Sequence, residues 1–168
     1  MPDLLPLRRA AIALGANLGD RLATLERAVG LIGAEVGEVA ARSSWIETAA
    51  LIHPDDPATG YPAFLNGVVV AETALEPAEV LARLHAVEAR LGRDREAETA
   101  RWRPRAVDLD LIAVDGVVAE GPGLRLPHPA MHERRFVLGP MAEVWADWRH
   151  PVLGRTVAEM LAGLGLEG

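Results

Sequence analysis

The sequence predicts a single α+β domain in which helices pack against an antiparallel sheet. The chain has 168 residues, the usual size of one domain with its own core, and half of them are hydrophobic. Hydrophobic residues recur at helical spacing in two segments and form strand-like runs in four others. Their order is strand, helix, strand, strand, helix, strand, which resembles the ferredoxin-like βαββαβ arrangement. We therefore expect residues 1–168 to form one domain around a ferredoxin-like core.

The first part of the chain predicts a strand, a helix and a second extended segment. Residues 8–14 form the strand, and the helix after them is capped by Asp20 and ends near Gly33. Apolar residues line one face of this helix, namely Leu22, Leu25, Val29 and Ile32. Residues 35–48 look extended. Residues 49–62 contain three prolines and a glycine, which predicts a long loop.

The middle of the chain predicts a second strand, helix, strand unit. Residues 63–73 include three consecutive valines and should form a buried strand. A helix begins at Pro77, and Gly92 ends it. An arginine-rich loop over residues 93–105 leads into the strand that we predict over residues 106–114.

After that strand, Asp115-Gly116 is a tight hairpin signal that should lead into a strand at Val117-Val118. We expect the rest of the C-terminal third to be mostly helical. Thr156 with Glu159 three residues later predicts a capping box at the start of the last helix.

The composition excludes several kinds of chemistry and of partner. There are no cysteines, so disulfides and thiolate metal sites are impossible, and all 17 basic residues are arginine, so a phosphate loop that needs lysine is absent. The formal charge of −7 disfavours nucleic acid as a partner. No apolar run approaches the length of about 18 residues that a membrane helix requires. We expect a cytoplasmic protein without a nucleic-acid or membrane partner.

Two aspartates in the predicted strand over residues 106–114 point to a metal site. Side chains alternate along a strand, so Asp108 and Asp110 share one face while Leu109 and Leu111 enter the core. Like charges this close repel, so a cation is a natural partner, and carboxylate oxygens favour Mg²⁺. A solvated strand face is the alternative interpretation.

The loop before this strand carries five arginines between residues 93 and 105. Guanidinium groups bind phosphate oxygens in a bidentate manner, so this loop suits a polyphosphate next to a metal. The alternative is a loop that is simply solvated, because three acidic residues partly neutralise it.

The segment Arg-Trp-Arg-Pro-Arg-Ala-Val-Asp-Leu-Asp-Leu over residues 101–111 resembles the signature of the 6-hydroxymethyl-7,8-dihydropterin pyrophosphokinase family. In that family a Trp-Gly-Pro-Arg loop runs into an Asp-x-Asp strand. Four further segments match in the same order, namely residues 15–18, 64–66, 88–93 and 127–136. The similarity spans about residues 11–140.

The resemblance implies an ATP-dependent diphosphotransferase of folate biosynthesis. Pyrophosphate passes from ATP to the hydroxymethyl group of the dihydropterin, and AMP leaves. Two Mg²⁺ ions held by Asp108 and Asp110 bridge the ATP phosphates, and Arg93 and Arg105 contact phosphates during transfer. The implied partners are a small pterin and ATP, and we expect a monomer or a weak homodimer.

The resemblance also implies which residues bind ATP. Arg95 and Trp102 belong to a loop that closes over the site. The complete nucleotide-binding set is His85, Glu88, Arg95, Trp102, Leu111, His128 and Arg134.

The pterin site follows from the same resemblance. Phe64 and Phe136 are the only two phenylalanines, and both occupy positions whose rings sandwich the pterin in this family. Aromatic side chains often only fill a core, which is the alternative for each ring. Asn66 would bond the pterin edge, and backbone groups around Thr48 and Leu51 would complete its recognition.

Departures from the family pattern leave parts of the site open. Ala49-Ala50 stands where the family has Pro-Pro, Arg103 replaces a glycine, and two extra residues separate Arg95 from Trp102. A nucleotidyltransferase or phosphohydrolase could also use an Asp-x-Asp pair. A noncatalytic regulatory or RNA-binding module is a third interpretation. A zinc pair of His128 and His132 is disfavoured because Pro129 follows His128 directly.

Overall fold

A five-stranded antiparallel sheet forms the centre of the protein. The computed structural model describes residues 6–48, 63–92 and 107–165. The strands are β1 (Arg8–Ala16), β2 (Glu38–Arg42), β3 (Ile46–Thr48), β4 (Phe64–Thr73) and β5 (Asp108–Val114). The order across the sheet is β2, β4, β1, β5, and β3 pairs with β4 beyond the end of β2. Within the described residues, β5 therefore has one strand neighbour, β1.

The segment predicted to be extended over residues 35–48 is divided into two strands. Helix α1 (Arg21–Glu35) runs two residues past Gly33 and includes the first residue of this segment, Glu35. A break at residues 43–45 then separates β2 from β3. At this break the Ser43 hydroxyl accepts the N–H of Val68 at 2.9 Å, and the Ser43 N–H donates to the Val68 carbonyl at 2.9 Å. A side chain thus replaces one backbone acceptor of the ladder.

Helices α1 and α2 (Pro77–Arg90) cover one face of the sheet. Asp20 caps α1 as predicted, accepting the N–H of Ala23 at 3.0 Å. Gly92 follows α2 with a φ of 96°, a left-handed conformation that suits glycine at a helix end. The core between these helices and the sheet contains large buried side chains from both, including Ile12, Leu14, Leu25, Leu84 and Leu109.

The second face of the sheet packs against helices α3 (Arg135–Trp145) and α4 (Val157–Gly163). Buried side chains from the sheet and the helices meet here, among them Val68, Val70, Ile112, Met141 and Met160. The predicted capping box of Thr156 and Glu159 is present at the start of α4. None of the described helices combines the length and the apolarity that crossing a bilayer requires. The architecture is α+β, with an antiparallel sheet and helices against both faces.

The prediction for the region after β5 is wrong in two respects. Asp115-Gly116 does form a turn, but no strand follows at Val117-Val118. A separate two-stranded sheet forms later from β6 (Ala119–Gly121) and β7 (Leu124–Leu126). The described part of the C-terminal third, which ends at residue 165, is also less helical than expected, with 11 residues in α3, seven in α4 and three in a 3-10 helix (Met131–Glu133). A glycine-containing dipeptide specifies a tight turn, whereas burial selects the strands that pair.

His150 organises the turn between α3 and α4. Its side chain is buried, and its Nδ1 accepts the N–H groups of Val152 at 3.2 Å and Leu153 at 3.1 Å. Burial lowers the pKa of His150, and the charge of His132 lowers it further. The folded protein therefore favours the neutral imidazole at this position.

This preference predicts a loss of stability in acid. The folded pKa of His150 lies below its unfolded value of about 6.5, so as pH falls the unfolded chain binds the proton first. His150→Asn should make the free energy of unfolding fall less steeply with decreasing pH. The Oδ1 of the asparagine can accept the same N–H groups, and its side chain does not titrate. Denaturant unfolding at several values between about pH 7.5 and about pH 5 would measure the free energy of unfolding. An equally steep decline in the variant would contradict the role of His150.

Candidate active site

Asp108 and Asp110 project from one face of β5. They alternate with Leu109 and Leu111, whose side chains are buried in the core beneath α1 and α2. Both aspartates are partly exposed. The two carboxylates therefore lie on the face of the sheet that packs against α3 and α4, and they are reachable from solvent.

A row of side chains crosses the sheet beside these aspartates. Gly15 of β1 is paired with Asn66 of β4 on one side and with Asp108 of β5 on the other. Ala13 is paired with Asp110 in the same way. Paired residues in neighbouring strands share a face, so the Asn66 amide and the two carboxylates lie on one surface only three strands wide.

Gly15 leaves the space that the Asn66 side chain occupies. A Cβ atom at this position would lie 2.8 Å from Asn66 Oδ1 and 3.6 Å from the ring of Phe64. From the sequence we identified Gly15 only as part of a segment that matches the family, and we did not predict this role. Glycine inside a strand often marks close approach by another group, and this signal was available in the sequence.

Thr48 holds the Asn66 amide in one orientation. Asn66 Nδ2 donates to Thr48 Oγ1 at 2.6 Å, and its Oδ1 lies over Gly15. The recognition of the pterin by backbone groups around Thr48 stays a prediction, and the Thr48 side chain makes this additional contact. Leu51, which we placed in the same group, lies outside the described residues. The result is an amide whose carbonyl oxygen faces the surface shared with the aspartates.

The two phenylalanines lie on the same side of the sheet as the aspartates. The ring of Phe64 is beside the position of Gly15, and Phe136 packs at the start of α3 against the core of the second face. Both rings are partly exposed. The Arg134 guanidinium lies 5.6 Å from the centre of the Phe136 ring, within the range of a cation–π contact.

His128 connects this side of the sheet with the segment before α3. Its backbone N–H donates to the Ile112 carbonyl at 2.7 Å, and its Nδ1 accepts the N–H of Ala130 at 3.2 Å. Burial lowers the pKa of His128, the charge of Arg134 lowers it further, and Asp108 opposes both. The ring is therefore neutral near pH 7 and carries its proton on Nε2, which makes Nε2 a hydrogen-bond donor.

Three residues predicted to bind the nucleotide do not face the surface that carries Asn66 and the aspartates. His85 and Glu88 belong to α2, and Leu111 belongs to β5. His85 is exposed on α2, whereas Glu88 is 1% exposed and its Oε2 accepts the N–H of Leu109 at 2.9 Å. The Leu111 side chain belongs to the core, so a nucleotide could contact only its backbone. The burial of the Leu111 side chain confirms the alternation predicted for this strand.

The four remaining predicted residues, Arg93, Arg95, Trp102 and Arg105, lie outside the described residues. Among the residues that are described, no group of three or more histidine and acidic side chains could hold a metal. A pair of carboxylates still suits Mg²⁺, which binds proteins through one or two carboxylates and completes its shell with water and phosphate oxygens.

Comparison with known proteins gives one consistent family. A sequence model of 7,8-dihydro-6-hydroxymethylpterin-pyrophosphokinase (HPPK) matches residues 11–146. The chain is 39% identical to the 2-amino-4-hydroxy-6-hydroxymethyldihydropteridine pyrophosphokinase of Methylorubrum extorquens, covering 96% of this chain and 97% of that protein. It is 37% identical to the enzyme of the same name from Synechocystis, covering 90% and 74%.

Solved structures with a similar fold include bifunctional proteins. Plasmodium falciparum HPPK-DHPS aligns with a TM-score of 0.72 at 14% identity, over 96% of this chain and 46% of that one. A second structure, of HPPK-DHPS in complex with substrates, gives a TM-score of 0.69 at 12% identity over 94% of this chain and 43% of that one. The chain thus spans less than half of these proteins, and at this identity the likeness shows the fold alone.

Gly15→Ala tests the row across the sheet. The new methyl group must displace the Asn66 amide, so affinity for 6-hydroxymethylpterin should fall roughly tenfold, which corresponds to about 1.4 kcal/mol. Calorimetric titration with an α,β-methylene analogue of ATP present would measure it. Gly30→Ala is the control, because Gly30 is exposed on α1 with nothing within 4 Å of the added Cβ. Unchanged affinity in Gly15→Ala would show that the Asn66 position is not needed.

Proposed function

The chain belongs to the 7,8-dihydro-6-hydroxymethylpterin-pyrophosphokinase family, and from this we propose how its residues carry out the reaction. It transfers pyrophosphate from ATP to the hydroxymethyl group of 6-hydroxymethyl-7,8-dihydropterin, a step of folate biosynthesis. Membership of this family argues against the alternatives that the sequence left open, a nucleotidyltransferase or phosphohydrolase and a regulatory or RNA-binding module. The observation that carries the residue assignment is the row of Asn66, Gly15 and Asp108 across neighbouring strands.

The reaction needs two substrates held side by side. The pterin hydroxyl oxygen bonds to the β-phosphorus of ATP, and the bond from that phosphorus to the oxygen shared with the α-phosphate breaks. AMP leaves, and the diphosphate stays on the pterin. Little covalent help from protein is needed, so the protein must position the substrates and offset the phosphate charge.

Asp108 and Asp110 are proposed to bind two Mg²⁺ ions together with the ATP phosphates. The support is their shared face, their partial exposure and their donor type. When bound, Mg²⁺ offsets phosphate charge and favours attack at the β-phosphorus. The backbone ladder to β1 holds the two aspartates in place.

Phe64, Phe136 and Asn66 are proposed to bind the pterin. Two aromatic rings on one side of the sheet can stack on a flat bicyclic ring. The Asn66 amide offers a donor and an acceptor to the ring edge, and Thr48 orients it. Because Gly15 separates Asn66 from Asp108 by a single strand, the bound pterin would lie next to the metal-binding carboxylates.

His128 and Arg134 are proposed to contact the ATP phosphates. His128 can donate from Nε2, and Arg134 adds a positive charge near it. Arg93 and Arg105 as phosphate ligands, and Arg95 and Trp102 in a closing loop, stay predictions from the sequence.

Three broader assignments belong to the same proposal. The first is a ferredoxin-like core, and its support is the strand order, with β2 and β3 counted as one strand, and the position of α1 and α2 on one face. We infer one pyrophosphokinase domain over residues 1–168. A monomer or weak homodimer in the cytoplasm is our expectation from the sequence.

Product analysis tests the reaction. Incubation with ATP, Mg²⁺ and 6-hydroxymethyl-7,8-dihydropterin should yield AMP and a pterin diphosphate in equal amounts, and chelation of Mg²⁺ should stop both. Chromatography of nucleotides and pterins would measure this, with a mixture lacking pterin as the control. Release of ADP or free phosphate in place of AMP would overturn the assignment.

Asp110→Asn tests the metal role. The substitution preserves shape but removes the charge that binds Mg²⁺, so turnover should fall on the order of a hundredfold or more at unchanged stability. Asp115→Asn is the matched control, because Asp115 is an exposed aspartate in the turn after the same strand. Steady-state rates over a range of Mg²⁺ concentrations would be measured. Wild-type turnover and Mg²⁺ dependence in Asp110→Asn would contradict the role.

A further inference from the structure

We propose that Glu88 is a positioning residue for the metal-binding aspartates, acting through the backbone of β5. The inference rests on the metal role proposed above for Asp108 and Asp110. It differs from the nucleotide-binding role that the sequence resemblance implied for Glu88. Its basis is a single contact, in which Glu88 Oε2 accepts the N–H of Leu109 at 2.9 Å.

Glu88 is in an unusual environment for a glutamate. It lies near the C-terminal end of α2, and its side chain is 1% exposed among the apolar side chains that α2 buries. A carboxylate is costly to remove from water unless it accepts hydrogen bonds. The Leu109 N–H supplies one such bond, and this contact joins α2 to the strand that carries both aspartates.

The contact lies between the two aspartates. Leu109 separates Asp108 from Asp110, and in an antiparallel ladder the N–H groups of successive residues point to opposite sides of the strand. Because the Leu109 N–H points to Glu88, those of its two neighbours point toward β1. The strand is thus held from both sides over the three residues that carry the metal-binding pair.

The side chain of Leu109 strengthens this arrangement. It is 1% exposed in the core that also contains Leu84 and Val87 of α2. Glu88 thus fixes the rotation of the strand about its axis, and Leu109 fixes its depth. Within the described residues β5 has no second strand neighbour. At this edge the Glu88 carboxylate supplies the Leu109 N–H with an acceptor that a neighbouring strand would otherwise provide.

Loss of the contact between Glu88 and Leu109 should affect metal binding more than it affects folding. Mg²⁺ demands near-ideal ligand geometry, so a small rotation of β5 would misplace both carboxylates together. Residues that support metal ligands typically change metal affinity by about 10-fold to about 100-fold when they are removed. Glu88 is expected to act in this range.

Three variants at Glu88 separate the possible roles. Glu88→Gln keeps an oxygen that can accept the Leu109 N–H, whereas Glu88→Leu removes the acceptor at similar volume. Glu88→Asp withdraws the carboxylate by one methylene and carries the test if Glu88→Leu does not fold. Glu79→Leu is the matched control, because Glu79 is exposed on the same helix and pairs with Arg83 at 3.0 Å.

Two readouts do not depend on turnover. Amide exchange at Leu109, measured by NMR without nucleotide or metal, reports the contact itself. Mn²⁺ binding, measured by electron paramagnetic resonance with α,β-methylene-ATP present, reports the metal site. Glu88→Leu should exchange at least tenfold faster at Leu109 and bind Mn²⁺ roughly tenfold more weakly. Glu88→Asp should change in the same directions, Glu88→Gln should stay within about threefold of wild type, and Glu79→Leu should be unchanged.

The outcomes identify which idea fails. Asp110→Asn is measured in parallel, and if it binds Mn²⁺ normally, the metal role itself is overturned and this inference falls with it. If Asp110→Asn loses Mn²⁺ while Glu88→Leu, or Glu88→Asp in its place, binds normally, only the positioning role is overturned. Normal exchange at Leu109 with weaker binding of metal-free nucleotide would also overturn it, in favour of direct contact between Glu88 and ATP.

Discussion

The backbone ladder on both sides of β1 is the constraint on which the site depends. It pairs Gly15 with Asn66 in one neighbouring strand and with Asp108 in the other. Side chains alternate with a period of two, so a slip of one residue between β1 and β5 would turn both aspartates into the core. The apolar side chains of Leu109 and Leu111 oppose such a slip, because it would expose them. Core packing and site geometry are therefore fixed by the same register.

The two faces of the sheet differ in the polarity of their side chains. The face under α1 and α2 is apolar along its length and supplies most of the core. The other face is apolar where Val68 and Val70 pack against α3, and polar at the end that carries Asn66 and the aspartates. The site is thus held by a packed core beside it and beneath it. Packed interiors deform little, which suits a reaction in which the protein mainly positions two substrates.

Sequence patterns predicted the elements better than their partners. The alternation around Asp108 and Asp110 and the caps of α1 and α4 follow from neighbouring residues, and the structure has all of them. The turn at Asp115-Gly116 was also predicted, but the strand expected after it is absent. The division of the segment before Thr48 depends on Ser43, whose hydroxyl bonds to Val68 25 residues away. Contacts between distant segments leave no periodic signal in either one.

The sequence alone determined the family, the reaction and the identity of the residue types at the site, because these follow from local motifs in a set order. The tertiary structure decided how the residues of the candidate site are arranged. It showed that Thr48 orients Asn66 through a hydroxyl and that Glu88 bonds to Leu109. Each of these facts depends on which face a side chain takes and on what packs against it. Both are settled only when remote strands and helices come together.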